Sequence, residues 1–419
     1  MKLRNLMYAT MIACAFASCS KDEDGIDNGG GQGNADGSTT LSVKVADKLK
    51  ASDDEISELN VLIFGAEGLQ VVDASGTEKK DIPVTAGTKT IVLVANAADQ
   101  LATLSSESTL DDLKAITCNY GEVDGELTMS SKSYTVNIQA GQHHYLGYTS
   151  EQAAAGVNLN EATMGDNAIP MFRNVAKVTL NSVKLDVKPQ YGEDATFQLE
   201  EVFVLHAKKT SNLVPSNLTE YWATTEVTAI PTWIIGSTAD EYAEWVNTME
   251  NAPASVVPFK NYIPSDATTA PEAAVANYYT QAIANMTLAN KAVTADNSFN
   301  SYYVYENTES ADYQTLLVVK GKLLYGGLLD APSTYYPVGV GQDVKAGSSL
   351  TIPSLSLGDM EFTRSETAGV LRNLNYIISL TIKGPGKTTP FGPDPEDFTF
   401  LDVQVQVVPF GAVYQDVEI

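Results

Sequence analysis

Five groups of residues could carry chemistry. Cys19 closes Ala17-Ser18-Cys19 behind a basic start, Lys2 and Arg4, and the apolar Leu6–Phe16. That order is an export signal ending at a thiol placed to take a lipid, and an apolar run of about eleven residues is too short to span a bilayer. Lys48 and Lys50 precede the polar Ala51-Ser52-Asp53-Asp54-Glu55, so a trypsin-like protease would cut after Lys50, or alternatively after Lys48, and start a new chain at Ala51. The three histidines are His143, His144 and His206. Neighbours on a strand point to opposite faces, so His143 and His144 are not expected to share a metal. Asp394-Pro395-Glu396-Asp397 offers carboxylates to calcium, but its prolines mark a plain turn. Tyr302, Tyr303, Tyr305, Tyr335 and Tyr336 could stack on sugars, or be half-buried strand residues.

No G-x-S-x-G, H-E-x-x-H, C-x-x-C or Walker-type loop occurs, and no carboxylate pair stands out for glycoside hydrolysis. The expectation is a protein that is not an enzyme and holds no cofactor or metal. Residues 1–50 contain six Lys/Arg and six Asp/Glu, so residues after Lys50 carry the whole formal charge of −26. Such a field repels nucleic acid and anionic membrane surfaces. Of the three cysteines, Cys14 lies in the leader and Cys19 is the lipid site, which leaves Cys118 without a disulfide partner in a mature subunit. Stability must come from packing.

The elements that position these groups read as strands. The composition is 44% hydrophobic, 19% charged and includes 20 tyrosines, which favours a β-rich body. Leu41, Val43 and Val45 alternate with Ser42 and Lys44, the period of a half-buried strand that a cut after Lys50 would detach. Gly25–Ser38 is a flexible spacer before it. Further strands are expected at Ile56–Phe64, Thr90–Asn96, Ser133–Ile138, Phe172–Leu180, Phe197–Leu205, Tyr302–Tyr305, Thr315–Tyr325, Asn375–Lys383 and Phe398–Val408. Thr109 reads as the N-cap of a short helix with Asp112 at the capping-box position, and helical patches are expected at Asp240–Met249 and Glu272–Leu288. A boundary falls near Asn160–Met171, punctuated by Pro170. The layout is a signal peptide over 1–19, a linker with a removable strand over 20–50, and β-rich domains over 51–170 and 171–419. At the end of the chain Val413, Val417 and Ile419 share one face of a candidate strand.

Several stretches together resemble the fimbrillin family that builds type V pili in Bacteroidales. They are the lipoprotein leader, the strand and basic site at 41–50, I-x-x-L-x-V-x-I-F at Ile56–Phe64, A-G-T-K-T-I-V-L-V-A-N at Ala86–Asn96, F-R-N-V-A-K-V-T-L at Phe172–Leu180, Y-Y-V-Y-E-N-T at Tyr302–Thr308 and L-R-N-L-N-Y-I-I-S-L-T-I-K-G-P-G at Leu371–Gly386. Ser20-Lys21-Asp22-Glu23-Asp24 resembles the acidic tether of surface-exported Bacteroidetes lipoproteins. The resemblance implies a mainly β fold of two transthyretin-like β-sandwich domains with minor helices. It implies an outer-membrane lipoprotein precursor anchored through Cys19, a surface-acting protease, and a subunit of a cell-surface fimbrium whose partners are other pilus subunits. In the family the cut commonly follows Arg; here the candidates are Lys50 and Lys48. Cleavage would remove Leu41, Val43 and Val45, and the C-terminal strand of another subunit, with Val413, Val417 and Ile419, would take their place. The alternative is a monomeric surface lipoprotein that binds glycans through its tyrosines.

Overall fold

The computed structural model describes residues 38–45, 56–119, 127–160, 168–208, 210–215, 218, 233–234, 280–295, 298–307, 315–341, 349–352, 360–363, 369–388, 390 and 401–409. The first part of the chain forms β1 (Thr40–Lys44), β2 (Glu58–Gly65), β3 (Gly68–Ser75), β4 (Glu78–Pro83), β5 (Gly87–Ala95), helices α1 (Ala98–Leu101) and α2 (Leu110–Ala115), then β6 (Thr117–Asn119), β7 (Met129–Ser130), β8 (Tyr134–Ile138), β9 (His143–Leu146) and β10 (Val157–Asn158). β2 pairs antiparallel with β3 and β5, and Gly68 turns the β2–β3 hairpin at φ +101°, where a Cβ would lie 2.1 Å from the Ser106 carbonyl oxygen. The alternation of β2 and β5 divides their side chains between two layers. Leu59, Val61, Ile63, Ile91 and Leu93 pack in one cluster with Leu41, Val43 and Val45, whereas Leu62, Val92 and Val94 pack with Leu101 of α1 and Leu113 of α2. The α2 cap is the one expected: Asp112 N–H donates to Thr109 Oγ1 at 3.3 Å and Thr109 N–H to Asp112 Oδ2 at 2.7 Å.

The rest comprises β11 (Phe172–Arg173), β12 (Val175–Leu185), β13 (Thr196–Leu205), β14 (Ala207–Lys208), β15 (Thr210–Asn212), β16 (Trp233–Ile234), β17 (Thr280–Ala289), β18 (Ser301–Tyr305), β19 (Leu316–Leu324), β20 (Thr334–Gly339), β21 (Ser349–Ile352), β22 (Met360–Thr363), β23 (Leu374–Ile382) and β24 (Leu401–Pro409). Two four-stranded sheets, β18-β12-β23-β24 and β17-β13-β19-β20, share a core. Val178, Leu180, Ile378 and Leu380 from the first meet Phe197, Leu199, Leu317 and Val319 from the second. The fold is therefore mainly β, as expected, with helix confined to short pieces among the described residues.

Two local expectations fail. Phe172–Leu180 is not one strand: β11 pairs with β7, and β12 with β18 and β23, so the chain changes sheets at Asn174, whose N–H donates to the Thr128 carbonyl at 3.1 Å. The patch Glu272–Leu288 is strand wherever it is described, since β17 pairs antiparallel with β13 from Thr196↔Ala289 to Phe203↔Thr280. Its Ala and Met content favours helix locally, but the ladder with β13 outweighs that preference. Asn285 takes φ +57° where the β13–β17 register shifts between Leu199 and Glu201. The patch Asp240–Met249 lies outside the described residues.

A buried ion pair joins distant parts of the chain. Arg372 Nη2 is 2.6 Å from Glu306 Oε2, with the two side chains 1% and 4% exposed. The same nitrogen donates to Ser211 Oγ at 3.4 Å and to the Asn212 carbonyl at 3.3 Å, both on β15, and β15 pairs with β6.

Candidate functional site

The strand that precedes the predicted cut is an interior strand. β1 lies in the sheet β10-β9-β1-β4, parallel to β9 and antiparallel to β4, so hydrogen bonds run along both of its edges. Leu41, Val43 and Val45 are each 0% exposed and pack on Leu59, Val61, Ile63, Ile91 and Leu93 of the six-stranded sheet. Thr40 and Ser42, on the alternate face, are also buried, so the strand is more enclosed than a half-buried alternation implies. Burial of the three aliphatic side chains contributes about 5–9 kcal/mol at about 1.5–3 kcal/mol each.

The walls of this groove are shaped to β1. On the β4 side the register shifts between Leu41 and Val43, with Leu41 opposite Ile82 and Val43 opposite Lys79. Asp81 absorbs the extra residue at φ +52°, and its N–H donates to Ser42 Oγ at 3.0 Å, the signature of a β-bulge. On the β9 side Gly147, at φ +85°, lets the Lys44 carbonyl pass where a Cβ would stand 2.0 Å from that oxygen. The same carbonyl accepts from Ile169 N–H at 3.0 Å. Gly147→Ala is expected to cost at least about 1–2 kcal/mol from the left-handed backbone alone, before the clash with Lys44 is added. Thermal unfolding against the native chain measures this, and an unchanged melting temperature would refute the close approach.

Loss of β1 would leave the facing edges of β4 and β9 without a ladder partner and open the apolar floor formed by Leu59, Val61 and Leu93 to water. What this site can do is hold a strand: backbone groups on two edges, an apolar floor and a fixed register are the requirements of β-augmentation.

The other expected site residues are dispersed. Cys19, Lys48, Lys50, Ala51, Val413, Val417 and Ile419 lie outside the described residues, as does the acidic loop Asp394–Asp397. β24 ends at Pro409, with Val403, Val405 and Val407 opposite Leu380, Ile378 and Tyr376 in its own sheet. Among the tyrosines, Tyr302, Tyr305, Tyr335 and Tyr336 are buried. Tyr302 OH donates to the Val202 carbonyl at 3.0 Å, and burial pushes its phenol up from the ordinary value. Tyr336 OH donates to the Gly384 carbonyl at 3.1 Å and its ring stands edge-on to Phe197. These four rings are core rather than half-buried, whereas Tyr303 is half-buried, with Lys177 Nζ 5.5 Å from its ring centroid. His143 and His144 do face different ways on β9, and His206, with φ +57°, uses its carbonyl to accept from Thr315 Oγ1. Among the described residues no group of His, Cys, Asp or Glu is placed to hold a metal ion.

Sequence reasoning missed the part that β9 plays. His144 is 1% exposed and hydrogen-bonded to β1, and the signal for it was the two-residue spacing that puts it on one face with Leu146.

Comparison with known proteins agrees with this architecture. Residues 36–168, which contain β1 and the strands around it, match the family model described as major fimbrial subunit protein (FimA). The chain is 24% identical over 444 residues to a major fimbrium subunit FimA type-2 of Porphyromonas gingivalis, covering 99% of both chains. It is 26% identical over 445 residues to a FimA type-5 of the same organism, again with 99% of each covered. Among solved structures, a fimbrilin of Porphyromonas gingivalis superposes with a TM-score of 0.56 at 21% identity, over 88% of this chain and 97% of that one.

Proposed function

We propose that this chain, which is similar along its whole length to major fimbrium subunits, is a structural subunit of a cell-surface pilus, exported as a lipoprotein through Cys19 and activated by a cut after Lys50 or, alternatively, Lys48. The two transthyretin-like domains, over 51–170 and 171–419, then polymerise head to tail, with Val413, Val417 and Ile419 of one subunit entering the groove that Leu41, Val43 and Val45 of the next have vacated. The observation that carries this reading is the position of β1: it comes from the chain segment before the cut, yet it is an interior strand with every core-facing side chain fully buried. A fold built this way has an obligatory strand that is also removable. A head-to-tail interface between two different surfaces does not close on itself and makes a filament.

Protein trimmed of residues 1–50 is expected to form ladders resistant to SDS, because each exchanged strand adds backbone bonds on two edges and a row of buried aliphatics. Uncut protein stays monomeric under the same conditions. N-terminal sequencing of surface-extracted subunit should begin at Ala51. An intact chain with lipidated Cys19, together with trimmed protein that runs as a monomer, would remove the support for polymerisation by exchange.

A further inference from the structure

From opposite faces of β9, two imidazoles bond to different groups of a single residue of β1. Thr40 lies opposite His143 and Leu41 opposite His144 in the parallel ladder. His143 Nδ1 is hydrogen-bonded to the Thr40 hydroxyl, and His144 Nδ1 lies 3.1 Å from the Thr40 carbonyl oxygen. His144 Nε2 accepts from Gln139 N–H at 2.9 Å, so the proton of the neutral ring sits on Nδ1 and is donated to Thr40. The segment leading into β9 adds two more contacts: Thr40 N–H donates to the Gln142 carbonyl at 3.1 Å, and Gly141 N–H donates to Thr39 Oγ1 at 2.8 Å. The candidate donor tail, Phe410–Ile419, contains neither Ser nor Thr. Its one hydroxyl is the phenol of Tyr414, so it has no pair of adjacent aliphatic hydroxyls like Thr39-Thr40.

We infer that His143 and His144 form a clasp specific for the Thr39-Thr40 pair of the chain's own leader strand, which fixes that strand in register and lets go of it when His144 gains a second proton. This rests on the strand-exchange reading and says how the groove tells its temporary occupant from its final one. Protonation at Nε2 would turn an acceptor into a donor facing Gln139 N–H, which the closed groove does not accommodate. Burial already holds the His144 pKa below the ordinary 6.5, against the Thr40 and Gln142 carbonyls that favour the charged ring. The titratable neighbour acting on it is His143 on β9. From β4, Asp81 stands 3.6 Å from His143 Nδ1, and β1 itself carries Lys44 at its far end. With β1 docked the ring binds fewer protons than with β1 gone, so docking is at full strength above pH 6.5 and weakens as the pH falls below it.

The test uses the full chain cut once by limited trypsin after Lys48 or Lys50, with the 1–50 fragment labelled and its release followed by fluorescence. Release is expected to be faster one pH unit below 6.5 than at pH 7.5, because the vacated ring takes up a proton that the docked one resists. His144→Asn keeps a donor for the Thr40 carbonyl but cannot titrate, and it should flatten the profile. Thr40→Val, which removes one hydroxyl, and His143→Ala should speed release at both pH values while binding of a synthetic Phe410–Ile419 peptide to the emptied groove is unchanged. Equal release at both pH values in the native sequence, a pH step that survives in His144→Asn, or no effect of Thr40→Val would each overturn the clasp. If release behaves as expected but the emptied subunits never polymerise, the clasp stands and the exchange reading alone fails.

Discussion

Deleting Val413–Ile419 is expected to abolish polymer growth and leave the melting temperature of the isolated subunit unchanged. Val413, Val417 and Ile419 recur at even spacing, so in extended conformation they present one apolar face. The strand before them, β24, is already used at home, since Val403, Val405 and Val407 pair opposite β23 and that strand ends at Pro409. If the tail is lent to a neighbour, the subunit's own core does not depend on it. Val417→Asp should act almost as strongly as the deletion, because an unpaired carboxylate carried into the floor of Leu59, Val61 and Leu93 costs several kcal/mol. Glu418→Lys, on the other face, should change little. Melting temperature and polymer formation are to be measured on the same truncated protein. A truncated subunit that melts many degrees lower would return the tail to its own sheet, and one that still polymerises would rule it out as the donor.

Arg372→Ala should destabilise the subunit by about 3–5 kcal/mol, the cost of stranding one partner of a buried ion pair. Glu306, 4% exposed, would lose the guanidinium that faces its carboxylate. The loss has a second part: Arg372 also holds Ser211 and the Asn212 carbonyl on β15, and through β15 it supports β6. At about 2–4 °C per kcal/mol for a body of this size, the melting temperature falls by roughly 10 °C. Arg372→Met combined with Glu306→Leu removes both charges and should recover much of the loss. A single variant as stable as the native chain, or a double variant no better than the single, would show that the pair is not what holds this junction.

What the sequence displayed was local. The Thr109 cap needs only residues three apart, and it forms with both bonds in place. The apolar alternation of β2, β13, β19 and β23 marks each of them to within a residue or two, since the side-chain period is set by the strand itself. What it did not display depends on partners far along the chain. The pattern of β1 says that one face is apolar, but not that β9, about a hundred residues on, and β4 close over both of its edges. β17 carries a helical composition that only the ladder with β13 overrules. Arg372 sits in Leu371-Arg372-Asn373-Leu374, where a charged residue would ordinarily face water, and its burial follows from Glu306 arriving on the end of β18. His144 differs from His143 in nothing but parity.

The interior position of β1 also bears on how a cut could act at a distance from the groove. Only residues 46–55 separate Val45 from Ile56, so in the uncut chain the leader strand competes for its seat as a tethered ligand, at an effective concentration of order millimolar. Free tails of other subunits meet the same groove at their bulk concentration and are outnumbered there. Under the proposed cut near Lys50 no contact of β1 changes, since Thr40 to Val45 keep their partners. The tether is what disappears, and once the strand has left, its return becomes a bimolecular event diluted into the medium. Proteolysis would then time assembly by converting an intramolecular competitor into an intermolecular one, and the rate of filament growth would be set by how slowly the untethered strand departs.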